Sequence, residues 1–476
     1  EQVSGMACDG TVSAGPGDAA GATTRVLFGS CNFVSQPQTL WDDVLARKPD
    51  LWIWGGDNIY ADQKRGFKLF PKPGSIFQAA DPARLRQLYA KQLADPGYMR
   101  LLNSSVPLVG TWDDHDYGIN DGDNRYAHRN ESQEAFLDFI GEPAGSPRRK
   151  QRGVYDARLF DFGAGCSGRS VLVILLDMRY HKDPYGTTGG DFLGEEQWRW
   201  LNRTLAESSA DAHLIVSSLQ FLQPRQVIGE HWGRFPEARV RMLKLLAHHN
   251  VSAPIILSGD VHWAELGMGY CAGGQLLEVT SSGMTHTWGD HPFPDSNILA
   301  NYGAQTGMPI AQRVMPWRYQ IRDADTGTQQ YYLGHNFGEI EFDWLARQVS
   351  VSILGDGGIV QLRQTFPLVH LGVGAAGIEG IADFAPMGGD PEAWRVGLGM
   401  ATVAFVPMML FIGMMILSVF AVRRAFRAIK GGCAESDSES ATEDSESEEE
   451  EMLPWTEEST PSCKAQARKV TLLGDE

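Results

Sequence analysis

Four short apolar runs, Arg25 to Gly29, Leu51 to Gly55, Val106 to Thr111 and Pro254 to Ser258, each end on side chains able to bind metal. The endings are Gly29-Ser30-Cys31, Gly56-Asp57-Asn58-Ile59-Tyr60, Trp112-Asp113-Asp114-His115-Asp116 and Gly259-Asp260-Val261-His262. Runs this short and apolar read as strands buried on both faces. Such strands end together at one edge of a sheet, where their loops converge. Carboxylates, imidazole, a phenol and a thiol gathered there repel one another or stay poorly solvated unless a cation holds them. Mixed oxygen, nitrogen and sulfur donors suit a transition metal. A Gly-Asp turn or an Asp-Asp-His helix cap means little alone. Their shared position at strand ends points to one metal-centred hydrolytic site.

Two more runs, Val171 to Leu176 and Leu214 to Ser218, read as buried strands, and Gly194 to Leu205 between them reads as an amphipathic helix with Trp198 and Leu201 at helical spacing. Strands alternating with helices imply a layered α/β domain. Tyr331 to Pro367 alternates polar and apolar residues around Gly355-Asp356-Gly357-Gly358, a hairpin pattern expected to close the second sheet of a sandwich. Trp288 to Gln320 is rich in Pro, Gly and Asn and reads as a substrate-facing loop or a surface excursion. His213, Gln220, His231 and His286 fall near strand ends as supporting residues rather than ligands. His248-His249 closes a helical segment from Glu237. No internal repeat, nucleic-acid motif, P-loop or Gly-x-Ser-x-Gly elbow is present in the sequence.

Val396 to Val422 carries no formal charge and exceeds the about 20 residues needed to cross a bilayer. Pro407 and several glycines within it are tolerated by membrane helices. Arg423, Arg424, Arg427 and Lys430 follow it, whereas Asp383, Asp390 and Glu392 precede it, so the larger N-terminal part is expected outside the cytosol. Asparagines 103, 130, 202 and 250 head Asn-x-Ser/Thr tripeptides, and Asn103, Asn130, Asn202 and Asn250 all fall on that outer side as glycosylation candidates. The chain starts at Glu1 with no secretory apolar region, which leads us to expect a removed signal peptide and a type I membrane protein. A glycolipid-anchor signal would end near its apolar segment, and here a long tail follows. From Cys433 to Thr460 that tail is dominated by Glu, Asp and Ser without Lys or Arg, so it is expected to be disordered, and it supplies much of the net charge of -18. Ser436 and Ser445 resemble acidophilic-kinase targets, and the tail is a candidate surface for protein partners. Cys433 lies close enough to the membrane for acylation. With Cys433 and Cys463 in the cytosol, Cys8, Cys31, Cys166 and Cys271 face oxidising conditions. If Cys31 binds metal, one disulfide remains open to the others, Cys166 with Cys271 being the favoured pair; the alternative is a disulfide at Cys31 itself.

At these strand-end residues the chain resembles the PhoD-like alkaline phosphatases, a branch of the calcineurin-like metallophosphoesterases. The resemblance runs from about Val26 to Leu368, and its most specific part is Asp-Asp-His-Asp-Tyr-Gly-Ile-Asn-Asp from Asp113 to Asp121. Related metallophosphatases begin with Asp-x-His; Cys31 and Tyr60 here look like the PhoD variant, in which thiolate and phenolate help hold Fe3+ beside Ca2+. The resemblance implies that Asp57 bridges the metals, that Cys31, Tyr60 and Asp260 complete the iron side, and that Asp114, Asn120 and His262 face calcium. It implies that His115 contacts the phosphoryl oxygens or protonates the leaving group. Arg86, before Leu88-Tyr89-Ala90, lies nearest the family's phosphate-facing arginine, although Leu88 stands where a second arginine is usual.

The expected chemistry is in-line attack on phosphorus by hydroxide drawn from metal-bound water, without a phospho-enzyme. The expected fold is an α/β, four-layer α/β/β/α sandwich over residues 25–370, after an N-terminal extension, 1–24. A linker, 371–395, a transmembrane helix, 396–422, and a cytoplasmic acidic tail, 423–476, would follow. The leading expectation is a membrane-anchored phosphomonoesterase acting outside the cell or in an endomembrane lumen, with no nucleic-acid partner. The alternatives are a phosphodiesterase or phospholipase D-like enzyme on lipid or diester substrates and, from another class, a non-catalytic receptor or adhesion protein on the same scaffold.

Overall fold

A computed structural model of the chain describes residues 12–13, 23–64, 77–163, 169–223, 229–271, 273–289, 320–322 and 328–374. Every described residue lies within one compact unit, Glu1–Met408. The apolar span Val396 to Val422, the acidic tail, Cys8, Cys166 and nearly all of Trp288 to Gln320 lie outside the described residues. Among the described residues, no helix is long and apolar enough to cross a membrane.

In chain order the strands are β1 Val12–Ser13, β2 Thr23–Gly29, β3 Leu51–Gly55, β4 Gln63–Lys64, β5 Phe77–Gln78, β6 Leu108–Thr111, β7 Asp156–Asp161, β8 Ser170–Leu175, β9 Ala212–Val216, β10 Pro254–Ser258, β11 Ala264–Cys271, β12 Gly274–Ser281, β13 Tyr331–Tyr332, β14 Phe337–Asp343, β15 Gln348–Leu354 and β16 Val360–Pro367. The α-helices are α1 Trp41–Ala46, α2 Pro82–Leu93, α3 Pro96–Leu102, α4 Asp114–Tyr117, α5 Arg129–Phe139, α6 Gly194–Glu207 and α7 Pro236–His248. Two mixed sheets result, one ordered β1-β7-β8-β9-β10-β12-β11-β13 and the other β16-β15-β14-β2-β3-β6. In the larger sheet a parallel centre, β8-β9-β10-β12, carries antiparallel strands on both sides, whereas in the smaller sheet the parallel strands β2-β3-β6 form one edge and the antiparallel β14-β15-β16 the other.

Alternation along each strand builds the sandwich, because successive side chains leave opposite faces of a sheet. Val26, Phe28, Leu51 and Ile53 of the smaller sheet meet Val173, Leu175, Leu214, Ile255 and Leu257 of the larger in one buried core. The residues between them face outward and meet helices. Trp52 and Trp54 pack with Trp41 of α1, Tyr98 of α3 and Phe136 of α5. Leu172, Ile174, Ile215 and Ile256 pack with Trp198 and Leu201 of α6 and Met242 and Leu246 of α7. Each such side chain taken from water contributes about 1.5–3 kcal/mol before entropy is charged. The α2 helix is capped by Asp81, whose side chain accepts from the Arg84 amide, with Pro82 at its first position.

The hairpin expected near Gly355 forms between β15 and β16, turning through Gly357 and Gly358 at φ 72° and 66°. Together with β14 it extends the smaller sheet through β2. Tyr331–Tyr332 departs from that expectation and pairs with β11 of the larger sheet. A second departure matters more: the strands leading to the motifs do not end at one sheet edge. Those before Cys31, Asp57 and Asp113 lie in the smaller sheet and the one before Asp260 lies in the larger. Short apolar runs reveal burial on both faces but not which of two facing sheets a strand joins. The motifs therefore meet across the gap between sheets, at the end both share.

Two glycines permit that meeting. A Cβ on Gly259 would lie 2.2 Å from Ser30 Oγ and 2.9 Å from Ser30 Cβ, where the larger sheet touches the loop after β2. Gly56, at φ 113°, passes with room for no Cβ between Asp113 and Ser218. The four candidate glycosylation asparagines, Asn103, Asn130, Asn202 and Asn250, are all exposed. Cys271 is buried at the end of β11. Substituting Gly259→Ala should destabilise the chain by about 1–3 kcal/mol through overpacking. Adding Ser30→Gly should recover part of that loss, read as the midpoint of urea unfolding.

Candidate metal centre

The loop after β3 turns sharply, with Asp57 in the left-handed region at φ 49°, and its fully buried carboxylate becomes a hub. Asp57 Oδ2 lies 3.6 Å from Cys31 Sγ and 3.2 Å from the Tyr60 hydroxyl, while Oδ1 accepts from the His115 amide at 3.3 Å. Carboxylate oxygens of Asp57, Asp113, Asp114 and Asp260 fall within 4.8 Å of one another, and so do ligand atoms of Asp57, Asp114 and His115. Cys31, Asp260 and His262 also adopt left-handed backbone, at φ 61°, 68° and 59°. Ser282, just past β12, links two of the motifs: its hydroxyl lies 3.0 Å from Cys31 Sγ and accepts from the His262 amide at 2.7 Å. The ring of His262 lies 4.6 Å from that of His286, which lies 5.0 Å from Tyr60. Cys31 carries a free thiol, which removes the alternative of a disulfide there.

The motif after β6 divides its carboxylates by task. Asp116 closes a capping box at the start of α4 by accepting from the Asp113 amide at 2.6 Å, and it also accepts from the Asn58 amide at 3.0 Å. It thus ties the β6 loop to the β3 loop. Asp113 and Asp114 instead face the larger sheet. Asp113 bonds the guanidinium of Arg179, and Asp114 Oδ1 lies 3.9 Å from Arg179 Nη2. Arg179 and Lys182 both reach Glu230, Lys182 at 2.8 Å, and all three side chains are buried. Lys182 Nζ also donates to the Asp121 carbonyl at 2.8 Å. His115 Nδ1 lies 2.7 Å from Asp62 Oδ1, an acid that fixes the ring.

The electrostatics are those of donors suited to a cation. Burial, with Asp57 beside them, pushes the Cys31 thiol and the Tyr60 phenol well above their ordinary values. Burial and neighbouring carboxylates raise Asp57 and Asp260 in the same way. Burial lifts Asp113 to about 6 against the pull of Arg179. Asp114 behaves differently: burial would raise it, but His115, Arg179 and the Asp121 amide together hold it below the usual carboxylate range. His115 is raised because Asp114, Asp62 and Asp57 outweigh its desolvation. Asp113 Oδ2 and Asp114 Oδ1 are buried without a hydrogen bond, a state that costs stability unless a cation completes them. Thiol, phenol, imidazole and carboxylates in one place fit a transition metal beside a harder ion.

Of the residues singled out from sequence, Cys31, Asp57, Tyr60, Asp114, His115, Asp260 and His262 come together. Asn120 sits at the rim, its side-chain amide donating to Asp121 at 2.9 Å and its backbone amide to Asp62 at 3.0 Å. Arg86 is not brought to the site: it lies exposed on α2, 3.6 Å from Glu134, because the opposite face of that helix, with Leu85, Leu88 and Tyr89, is the one buried. The arginine that reaches the carboxylates is Arg179. It follows the β8 strand end, so the rule that singled out the four motifs would have found it. Asp62, Glu230, Lys182 and Ser282 were also missed. Gln220 donates to Glu265 at 2.6 Å and Thr280 at 3.1 Å, a packing role as expected. His286 sits closer to the centre than expected.

A two-sheet α/β sandwich with clustered carboxylates where strands of both sheets converge is an arrangement able to hold metal ions. The PhoD-like phosphatase family model matches residues 26–268. The chain belongs to that family and is a phosphoesterase hydrolase. Among solved structures, PhoD aligns with a TM-score of 0.53 at 16% identity, covering 82% of this chain and 78% of PhoD, a likeness of fold. A Staphylococcus aureus protein described as a 5′-nucleotidase, in complex with alpha-ketoglutarate, aligns over 73% of this chain and 54% of its own at 12% identity; its TM-score of 0.32 carries no argument. None of the curated proteins matches the chain.

Removing the buried cation with Arg179→Met should destabilise the fold by about 3–5 kcal/mol, whereas Arg86→Ala should stay within about 0.5 kcal/mol; thermal or urea unfolding reads both. Asp62→Asn should lower kcat by about 10–100-fold with metal content unchanged. It should also move the alkaline limb of the pH–rate profile to lower pH. The Asp62 carboxylate helps hold the proton on His115, so without it His115 deprotonates earlier as pH rises.

Proposed function

We propose that this chain is a membrane-anchored phosphatase that hydrolyses phosphate monoesters outside the cytosol, with Fe3+ and Ca2+ in its metal centre. The observation that carries the reading is the cluster in which Asp57 joins the Cys31 thiol and Tyr60 phenol on one side and Asp114 and His115 on the other. In this reading Cys31, Tyr60, Asp57 and Asp260 hold iron, and Asp57, Asp114 and His262, with Asn120 at the rim, hold calcium. The metals would supply Lewis-acid charge and a water acidic enough to act near neutral pH. The chain does the rest: Asp57 holds the two sides in register, and Asp62 orients His115. His115 gives its proton to the leaving oxygen as the ester P–O bond breaks and hydroxide from that water, its proton already lost to solvent, bonds to phosphorus. Loops from both sheets enclose the charge in surroundings where preorganised groups act strongly.

Anchoring rests on the uncharged span Val396 to Val422 and the basic residues after it, which favour a catalytic domain over residues 25–370 outside the cytosol and an acidic tail inside. Glycosylation at the four exposed asparagines and a Cys166–Cys271 disulfide belong to the same topology.

The test uses purified full-length protein in detergent with a simple phosphomonoester and a phosphodiester, plus or minus chelator, and Asp57→Asn as control. Chelator-sensitive monoester turnover, lost in Asp57→Asn, is the expected result. Faster diester turnover would replace the monoester assignment, and bound metal with no turnover of either ester would favour a scaffold role. Iron held by a phenolate should colour the protein, and Tyr60→Phe should remove that visible band. A colourless, iron-free, active enzyme would end the iron assignment.

A further inference from the structure

The metal centre is bordered by a continuous arc of rings. Phe77 lies 6.0 Å from His115, His115 4.1 Å from Tyr60, Tyr60 5.1 Å from Phe33 and 5.0 Å from His286, His286 4.6 Å from His262, and His262 6.1 Å from Trp288. The histidines and Tyr60 are buried, while Phe33, Phe77 and Trp288, where the arc meets solvent, are half-buried. Phe33 and Trp288 come from separate loops, and Phe77 opens the short strand β5. Two are fixed in place by hydrogen bonds: the Phe33 amide donates to Thr285 Oγ1 at 2.7 Å, and Trp288 Nε1 donates to the Val261 carbonyl at 2.7 Å. Phe33 stacks on Tyr60 with an interplanar angle of 29°.

Half-buried aromatic side chains around a few convergent polar groups are the usual lining of a small-molecule site. Position then assigns the part of the substrate they meet. His115, the proton donor in the phosphoesterase reading, stands in the arc between Phe77 and Tyr60, so whatever is attached to the oxygen it protonates lies within reach of Phe77 and Phe33. We propose that Phe33 and Phe77 form a leaving-group subsite that selects phosphate esters of planar, apolar alcohols, such as aryl esters, over those of small hydroxylic ones. This rests on the phosphoesterase reading. A bland alternative exists, in which the rings only keep water from the metals; it predicts no discrimination between leaving groups.

Binding and turnover separate the two ideas. Metal-loaded full-length protein in detergent would be titrated with phenylphosphonate, cyclohexylphosphonate and methylphosphonate, which cannot be hydrolysed by P–O cleavage, and assayed with the corresponding phosphate esters. The expected result is tightest binding and lowest KM for the phenyl compound, with cyclohexyl as the apolar, non-planar control. Phe33→Ala and Phe77→Ala should each reduce the phenyl-to-methyl ratio by about 3–10-fold, the size of an aromatic contact, with metal content unchanged. Equal affinity for all three phosphonates, or variants that weaken all three alike, would overturn the subsite and leave the water-exclusion role. Planar selectivity among the phosphonates without turnover of any ester would instead count against the phosphoesterase reading while supporting the subsite.

Discussion

Mutual repulsion among buried carboxylates governs this structure. Asp57, Asp113, Asp114 and Asp260 approach within 4.8 Å, and Asp121 and Glu230 form a further group with Asp114. Nothing apolar can relieve such a concentration of charge; it takes protons or cations. The chain carries two of its own, Arg179 and Lys182, buried against Asp113, Asp114 and Glu230. These neutralise the side of the cluster facing away from Cys31 and Tyr60. Among the described residues no lysine or arginine pairs with the opposite side, where burial raises the thiol, the phenol and Asp57 well above their ordinary values. The division between inherent and acquired cations runs through Asp114, which touches both.

The sandwich exists to bring that cluster together from two sheets. Parallel strands in each sheet deliver their loops to the same end, and close-approach glycines let those loops touch without side chains between them. The outer helices take no direct part, yet the tryptophans they cover alternate with the inner residues that hold the sheets in contact. Moving one strand by one residue would exchange these two sets and pull a metal-binding loop out of place.

Much of this could be read from the chain alone. The strands before Asp57 and Asp260 begin and end where the apolar runs do, Leu51–Gly55 and Pro254–Ser258, because a run buried on both faces has no polar residue to blur its limits. α6 was recognisable from its Trp198 and Leu201 spacing and extends to Glu207. What could not be read was the assignment of strands to sheets, since hydrophobicity is the same on either side of the core. Residues acting through space were also hidden. Glu230 and Ser282 sit in loops with no local pattern, and their meaning arises only when Arg179 and Cys31 are brought against them. Arg86 failed for the opposite reason: it stood at the right place in the pattern, but on the outer face of its helix.

Four of the proposed metal-donor positions, Cys31, Asp57, Asp260 and His262, lie on left-handed backbone that side chains other than glycine adopt reluctantly. Each such residue costs about 1–3 kcal/mol, and a domain's whole margin is about 5–15 kcal/mol. Metal that binds only the folded chain offsets that cost by mass action. Occupancy and persistence are then linked: where metal is scarce, the chain spends more time open to proteases. Scarcity would register first as fewer molecules rather than as slower ones, so the supply of ions would set how much of this protein survives.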